Sequence, residues 1–299
     1  MTRQTFGKHT VDLSHLDKTL FPDDGLTKED LISYYDDIAD VMLPHLKERP
    51  LTLHRFPDGI GKNGFFQQNR ADHFPDWLQG LDIDHGGKTG HVEHLIANDR
   101  ASLVYLANQG AITLHRWLSQ QAASECPNLM VFDLDPPEGD FELVREGARW
   151  VAEGMRDLGA TPYVMTTGSE GLHVVAPLRP DASFDDVRQL AQKLATRLAD
   201  QYPEKLTTEQ RINQRHGRLY LDVVRNAFGQ TAVAPYSVRA KPGAPVATPL
   251  DWSELDDGKL HPQRYTLGNI QRRLANKEDP WASMHRHAVK PSKLAHALE

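Results

Sequence analysis

The chain has 299 residues, 39% apolar and 25% charged, and its 34 Lys and Arg stand against 41 Asp and Glu for a net charge of −7. Such usage fits a packed globular protein and excludes disordered or collagen-like chains; it also removes the overall basic signature of many nucleic-acid binders, although basic residues gather between Arg211 and Arg225 and between Arg239 and Lys241. The single cysteine, Cys126, excludes an internal disulfide, and no run approaches the ~20 apolar residues of a membrane span or forms a signal-peptide core, so a reducing cytosol is expected and no membrane partner.

In chain order, Thr27 and Asp30 form a capping-box-like start. Leu31, Tyr35, Ile38 and Met42 then recur at helical spacing, which predicts a helix over 28–46. Leu51 to His54 reads as a strand, as do Ala111 to His115, Leu129 to Leu134, Tyr163 to Thr166, Leu172 to Ala176 and Leu219 to Val224. Asp140 can cap a helix carrying Val144, Ala148, Val151, Met155 and Leu158 until Gly159 ends it. Ser183 with Asp186 starts another, with Val187, Leu190, Leu194 and Leu198 buried, until Pro203 stops it. From Ala240 to Pro262 the prolines, glycines and acids predict a long surface excursion, followed by a short terminal helix near Leu267 to Ala275. Strands mixed with amphipathic helices indicate an α/β or α+β fold.

The segment Leu129-Met130-Val131-Phe132-Asp133-Leu134-Asp135 ends an apolar strand with two aspartates two residues apart, so both carboxylates leave the same sheet face. Like charges held together require a cation or a shared proton, and hard ions such as Mg²⁺ or Mn²⁺ prefer oxygen ligands. The plainer reading is a strand end beside the Pro136-Pro137-Glu138-Gly139 turn. Asp222, which interrupts the apolar run Leu219 to Val224, supplies a third acid. Three carboxylates on adjacent strands could hold two ions ~3.5–4 Å apart, an arrangement suited to phosphoryl transfer from a triphosphate.

Thr166-Thr167-Gly168-Ser169-Glu170-Gly171-Leu172-His173 joins two strands, and its glycines and hydroxyls suit a phosphate as readily as an ordinary polar hairpin turn. Arg215, Arg218, Arg225 and Arg239 bracket Asp222 and can meet a triphosphate or a template backbone, or simply be solvated. Phe65-Phe66 can stack on bases, but an adjacent aromatic pair is more often core. Lys28 opens a helix where the dipole favours an anion, and Lys18 can reach the same point; a terminal phosphate would fit, as would two solvated lysines.

These residues resemble the polymerase domain of bacterial end-joining DNA ligases, within the archaeo-eukaryotic primase superfamily. The likeness runs through Leu16-Asp17-Lys18, Thr27-Lys28-Glu29-Asp30-Leu31, Arg49-Pro50-Leu51-Thr52, Arg55-Phe56-Pro57-Asp58-Gly59, Phe65-Phe66-Gln67, His115-Arg116-Trp117 and Val131 to Pro136. It continues through Gly168 to His173, Asp222, Ala234-Pro235-Tyr236-Ser237-Val238-Arg239 and Pro249-Leu250-Asp251-Trp252. The resemblance implies a primase-type α/β domain with two β-sheets flanked by helices, spanning 1–299 as one domain. Within it, 1–60 would bind DNA ends, about 90–245 would form the catalytic core, and 246–299 would pack on that core.

It also implies template-dependent gap filling during non-homologous end joining, with Mn²⁺ or Mg²⁺ as a pair of ions on Asp133, Asp135 and Asp222. Thr167, Ser169, His173, His115, Arg225 and Arg239 would surround an incoming NTP or dNTP. Phe65 and Phe66 would stack on the template, Lys18 and Lys28 would hold a downstream 5′-phosphate, and Arg55 and Arg215 would contact DNA; Ku and a DNA ligase are the expected protein partners. Glu170 departs from the family pattern by standing where Lys or Arg is usual, as do His15 in place of a common asparagine and His54 and Gln68 in place of frequent lysines. Two further readings compete: a non-catalytic DNA-end-bridging module, and an Asp-x-Asp phosphatase with Asp133 as nucleophile.

Overall fold

The computed structural model describes residues 2–87 and 89–299. It divides into two compact units, each assembled from three stretches of chain: 1–122, 231–247 and 265–278 in the first, and 123–230, 248–264 and 279–299 in the second.

The first unit is built on an antiparallel sheet in the order Thr231–Val233, Ala111–Trp117, Leu51–Arg55, His91–Leu95, Gly80–Asp84, with Phe65–Gln67 also pairing with Leu51–Arg55. Its core joins Leu51, Leu53, Ile112 and Leu114 of the sheet to Leu31, Tyr35 and Met42 of the preceding helical segment. That segment is not the single helix 28–46 expected from its spacing. It divides into Lys28–Asp37 and Ala39–Leu46 at Ile38, whose φ of −86° and ψ of −5° leave regular helix. Pro44 lies inside the second piece; its ring lacks an N–H and crowds the carbonyl of Asp40, so an unbroken straight helix is disfavoured. Thr27 caps the first piece through a capping box with Asp30, as its sequence predicts.

The second unit carries a four-stranded antiparallel sheet in the order Leu129–Leu134, Leu172–Pro177, Tyr163–Thr166, Thr248–Leu250. Helices Phe141–Asp157 and Phe184–Gln201 pack on it. Both start where their caps predict: the Asp140 carboxylate accepts from the Leu143 N–H, and Ser183 and Asp186 close a reciprocal capping box, each cap contributing about 1 kcal/mol.

Three expectations are corrected by the structure. The strand Leu219 to Val224 ends at Tyr220; the Val224 N–H turns back to the Asp222 carboxylate at 2.8 Å, and the chain enters a 3-10 turn, Val224–Asn226. The region 240–262 is not a surface excursion throughout. Thr248–Leu250 forms the edge strand beside Tyr163–Thr166, a position where Pro249 is tolerated because an edge residue need not donate outward. The helix near the end is shorter than expected, Ile270–Leu274, and the last helix is Pro291–Leu298, which its sequence spacing had not suggested.

Candidate active site

The second unit holds all three sequence-predicted acids, with Asp135 and Asp222 beside Asp133. Asp133 and His173 are direct partners in the antiparallel register, so their side chains share a sheet face. On its other edge Asp133 pairs with Asp222 through two backbone hydrogen bonds of 2.9 and 3.3 Å. His173, Asp133 and Asp222 therefore stand in one row across the sheet. Asp135, two residues further along the same strand direction, continues that face.

Asp133 is buried, only 7% exposed, and both of its oxygens are occupied. Oδ1 lies 3.3 Å from His173 Nε2, and Oδ2 accepts from Arg225 Nε at 3.2 Å. Burial works to raise this carboxyl, but the adjacent His173 and Arg225 outweigh it and hold Asp133 at about 2. Its charge then acts on the neighbours. Asp135, although part of it reaches solvent, has its carboxyl pushed up to about 6, first by desolvation against the protein and next by Asp133, with Glu170 adding to the effect. Asp222 is raised in the same way, by burial and then by Asp133, against the lowering hydrogen bond from Val224.

The phosphate-loop candidate is shaped by close approach. The Thr167 N–H donates to the Gly171 carbonyl at 3.0 Å, and the Thr167 hydroxyl accepts from the Ser169 and Gly171 N–H groups at 3.3 Å each. Gly168 sits at φ +65°, in the left-handed region. A Cβ on Gly171 would lie 1.9 Å from the Leu134 carbonyl oxygen and 2.8 Å from an Asp135 oxygen, so only glycine lets the loop lie against the acid strand. Gln263 donates to the Ser169 carbonyl at 2.9 Å. Glu170 is thereby held on the exposed side of a short, braced turn beside Asp135. Arg215 stacks on Tyr220 at 4.3 Å and donates to the Glu209 and Gln210 carbonyls, and its charge reaches Asp222.

Other predicted residues belong to the first unit. Phe66 and His54 are register partners stacked at 4.1 Å, and His115 meets the Phe66 ring edge-on at 5.9 Å. Burial and then the Arg239 charge lower the His54 pKa, which puts Arg239 beside this cluster. On the opposite face of the same strand pair, Arg55 lies over Phe65 at 5.3 Å and donates to Gln67 and to the Gln109 carbonyl. The expectation that an adjacent aromatic pair fills a core is overturned: Phe65 is 47% and Phe66 63% exposed, because a short outer strand presents them. Lys28 is buried and its pKa is lowered, first by burial and then by Lys18, so two cations converge at the start of the Lys28–Asp37 helix while Lys18 pairs with Asp58.

Sequence reasoning missed His54 as a ring-stacking member of this cluster and Asn226, whose fully buried carboxamide binds the acid strand. His54 had a signal in its alternation with Thr52 along the strand; a lone Asn226 had none.

A carboxylate row beside a braced Gly-Ser turn is an arrangement suited to phosphoryl transfer. The family "LigD, primase-polymerase domain" matches residues 27–281. The bifunctional non-homologous end joining protein LigD of Bacillus subtilis is 34% identical over 279 residues, covering 93% of this chain and 44% of that protein. The multifunctional LigD of Mycolicibacterium smegmatis is 35% identical over 258 residues, covering 85% and 34%. The solved polymerase domain from Mycobacterium tuberculosis Ligase D in complex with DNA superposes with a TM-score of 0.87 at 31% identity, covering 93% of this chain and 99% of that one. This chain belongs to the LigD primase-polymerase domain family. It spans less than half the length of these curated relatives.

Proposed function

We propose that the chain adds nucleotides to a 3′-hydroxyl under template direction, filling gaps at broken DNA ends during non-homologous end joining. The observation that carries this reading is the His173–Asp133–Asp222 row with Asp135 beside it and Arg225 upon it.

The donor set suits hard divalent cations: three carboxylates, two of them raised by burial and then by the charge of the third, are short of positive charge. Among the described residues no three His, Cys, Asp or Glu side chains already converge on one point, since Asp133 is turned to Arg225 and His173. Asp133, Asp135 and Asp222 would hold a pair of Mn²⁺ or Mg²⁺ ions. When bound, such ions supply the charge that activates a hydroxyl and stabilises departing pyrophosphate.

The chain's own groups do the rest. Arg225, released from Asp133, binds phosphate oxygens; His173 holds Asp133 in orientation; and Ser169 offers its hydroxyl to the triphosphate, while the buried Thr167 hydroxyl, engaged with the Ser169 and Gly171 N–H groups, braces the turn. In the first unit, His115 and Arg239 are assigned to nucleotide contact, and exposed Phe65 and Phe66 to stacking on template bases. Lys18 and Lys28 hold a 5′-phosphate, while Arg55 and Arg215 contact the DNA. A DNA ligase activity and a Ku-type end-binding protein are the natural partners. Among the described residues no helix is long and apolar enough to cross a membrane, which suits action on DNA in the bacterial cytosol or nucleoid.

A phosphatase using Asp133 as nucleophile is disfavoured, because the chain matches a primase-polymerase family over residues 27–281. The test is extension of a 5′-phosphorylated gapped duplex with Mn²⁺ and each nucleotide set, resolved on denaturing gels. Wild type extends; Asp133→Ala and Asp222→Ala lose at least 10³-fold in rate while retaining DNA binding. Equal extension by both variants would refute the site, and end-bridging without any extension by wild type would leave the bridging-module reading in its place.

A further inference from the structure

In the second unit the chain from Leu206 to Asn226 is stitched to the acid strand in an unusual way. Leu219 and Tyr220 pair in parallel with Leu206 and Thr207, and the Leu221 N–H donates to the Thr207 carbonyl at 3.0 Å. The chain then crosses to the outer edge of Leu129–Leu134, where Asp222 pairs with Asp133. In an antiparallel ladder the next hydrogen-bonded pair along would set residue 224 against Val131. That pair is missing, because the Val224 N–H has turned to the Asp222 carboxylate.

Asn226 fills the gap. Its carboxamide is 0% exposed and makes three hydrogen bonds: Oδ1 accepts from the Val131 N–H at 2.9 Å, and Nδ2 donates to the Val131 carbonyl at 2.7 Å and to the Val223 carbonyl at 2.8 Å. A primary amide presents one acceptor and two donors, so here it imitates a peptide group and closes the ladder. Between its two anchors, Asp222 at one end and Asn226 at the other, lies Arg225, whose guanidinium reaches Asp133.

We infer that Asn226 is a positioning residue for the carboxylate row: its side chain substitutes for the missing strand residue and fixes Asp222 and Arg225 in register with Asp133. This rests on the reading of the acids as a divalent-cation site. Without the amide, the 222–226 segment keeps a single backbone anchor on the acid strand, and the distance between the Asp222 and Asp133 carboxylates is no longer set. Buried polar groups left unpaired on Val131 add a stability cost, which is why stability alone does not test the idea.

The experiment measures Mn²⁺ binding by the loss of the free-ion electron paramagnetic resonance signal. It compares wild type, Asn226→Ala, Asn226→Asp, Asp133→Ala and Val151→Ala, each as the whole chain, alongside thermal unfolding. Val151 is buried on the Phe141–Asp157 helix and controls for destabilisation. Asn226→Asp keeps the acceptor for the Val131 N–H and loses both donations, so it provides a second variant should the alanine form fail to fold. Both Asn226 variants are expected to bind Mn²⁺ at least tenfold more weakly and to lose kcat more than KM is changed, with Val151→Ala within twofold of wild type in affinity. Mn²⁺ affinity in either folded Asn226 variant within twofold of Val151→Ala would overturn the inference while leaving the cation site intact. Unchanged binding by Asp133→Ala would instead overturn the cation site, and the inference with it.

Discussion

The Asp133 N–H donates to the Asp222 carbonyl at 2.9 Å, and the Asp222 N–H returns the bond at 3.3 Å. Two acids are thus set side by side by backbone pairing, and their side chains leave the same face. Positioning of this kind tolerates like charges only if something offsets them. In this structure Arg225 and His173 do so for Asp133, while Asp135 and Asp222 respond with raised pKa values.

Arg225 therefore occupies the oxygen that a cation would need. Arg225→Gln should tighten Mn²⁺ binding in the absence of nucleotide by roughly three- to tenfold, a modest gain because the guanidinium is partly exposed and screened. The same variant should raise the apparent KM for nucleotide, since no guanidinium remains at 225 to bind phosphate. Titration of Mn²⁺ with and without nucleotide checks both signs, and weaker metal binding in the variant would rule out competition at Asp133.

Glu170 adds negative charge beside Asp135, on a turn braced by Thr167 and by the Gln263 contact to Ser169. A triphosphate approaching this turn meets an acid where a cation would attract it. Glu170→Lys is expected to lower the apparent KM for nucleotide by about three- to tenfold, as one added charge-assisted hydrogen bond would do. Steady-state gap filling over a range of nucleotide concentrations measures it. An unchanged KM would mean that the nucleotide does not pass the turn.

A pH effect follows in the first unit from His94, which is fully buried, donates or accepts at 2.8 Å from His85, and meets the Trp117 ring edge-on. Burial, with the neighbouring His85, lowers its pKa from 6.5 to about 4. The folded form binds the proton less readily than the unfolded chain, so this contribution is complete above about 6.5 and lost as pH falls toward 4. His94→Phe, which keeps an aromatic ring against Trp117, should flatten the decline in stability between pH 6.5 and 4 by about 2–3 kcal/mol. Urea midpoints at several pH values test this, and parallel pH profiles for the two proteins would exclude His94 as the cause.

What was legible in the sequence was local. The Asp140 cap, the Ser183–Asp186 box and the two-residue alternation of Asp133 and Asp135 depend on neighbours a few positions apart, and the structure reproduces them. The meeting of Asp222 with Asp133 was readable only as chemistry that wanted a third acid, because nothing local specifies a bridge between distant segments. Likewise Thr231–Val233 joins the sheet of the first unit and Thr248–Leu250 that of the second, an interleaving set by long-range pairing that periodicity does not encode. Phe65 and Phe66 looked like core because aromatic pairs usually are; their exposure depends on a three-residue outer strand too short to recognise.

Gly171 offers the most direct test of how the turn and the acid strand depend on each other. Its backbone lies so close to Leu134 and Asp135 that an added Cβ would fall 1.9 Å from the Leu134 carbonyl oxygen and 2.8 Å from the Asp135 carboxylate. The first contact is with backbone, which is paired in the sheet through Leu134 and Leu172 and has little room to yield. Relief must come from the turn, which would lift away and carry Thr167, Ser169 and Glu170 with it. Gly171→Ala should therefore destabilise the protein by about 1–3 kcal/mol and reduce kcat/KM for nucleotide addition more than tenfold. Unlike a remote overpacking change, it should also lower the pKa of Asp135, first by readmitting water to the carboxyl and then by moving Glu170 off, which NMR titration of the side-chain carboxyl in metal-free protein would register. If Gly171→Ala kept wild-type kcat/KM and left the Asp135 titration in place, the turn would not be coupled to the acid row.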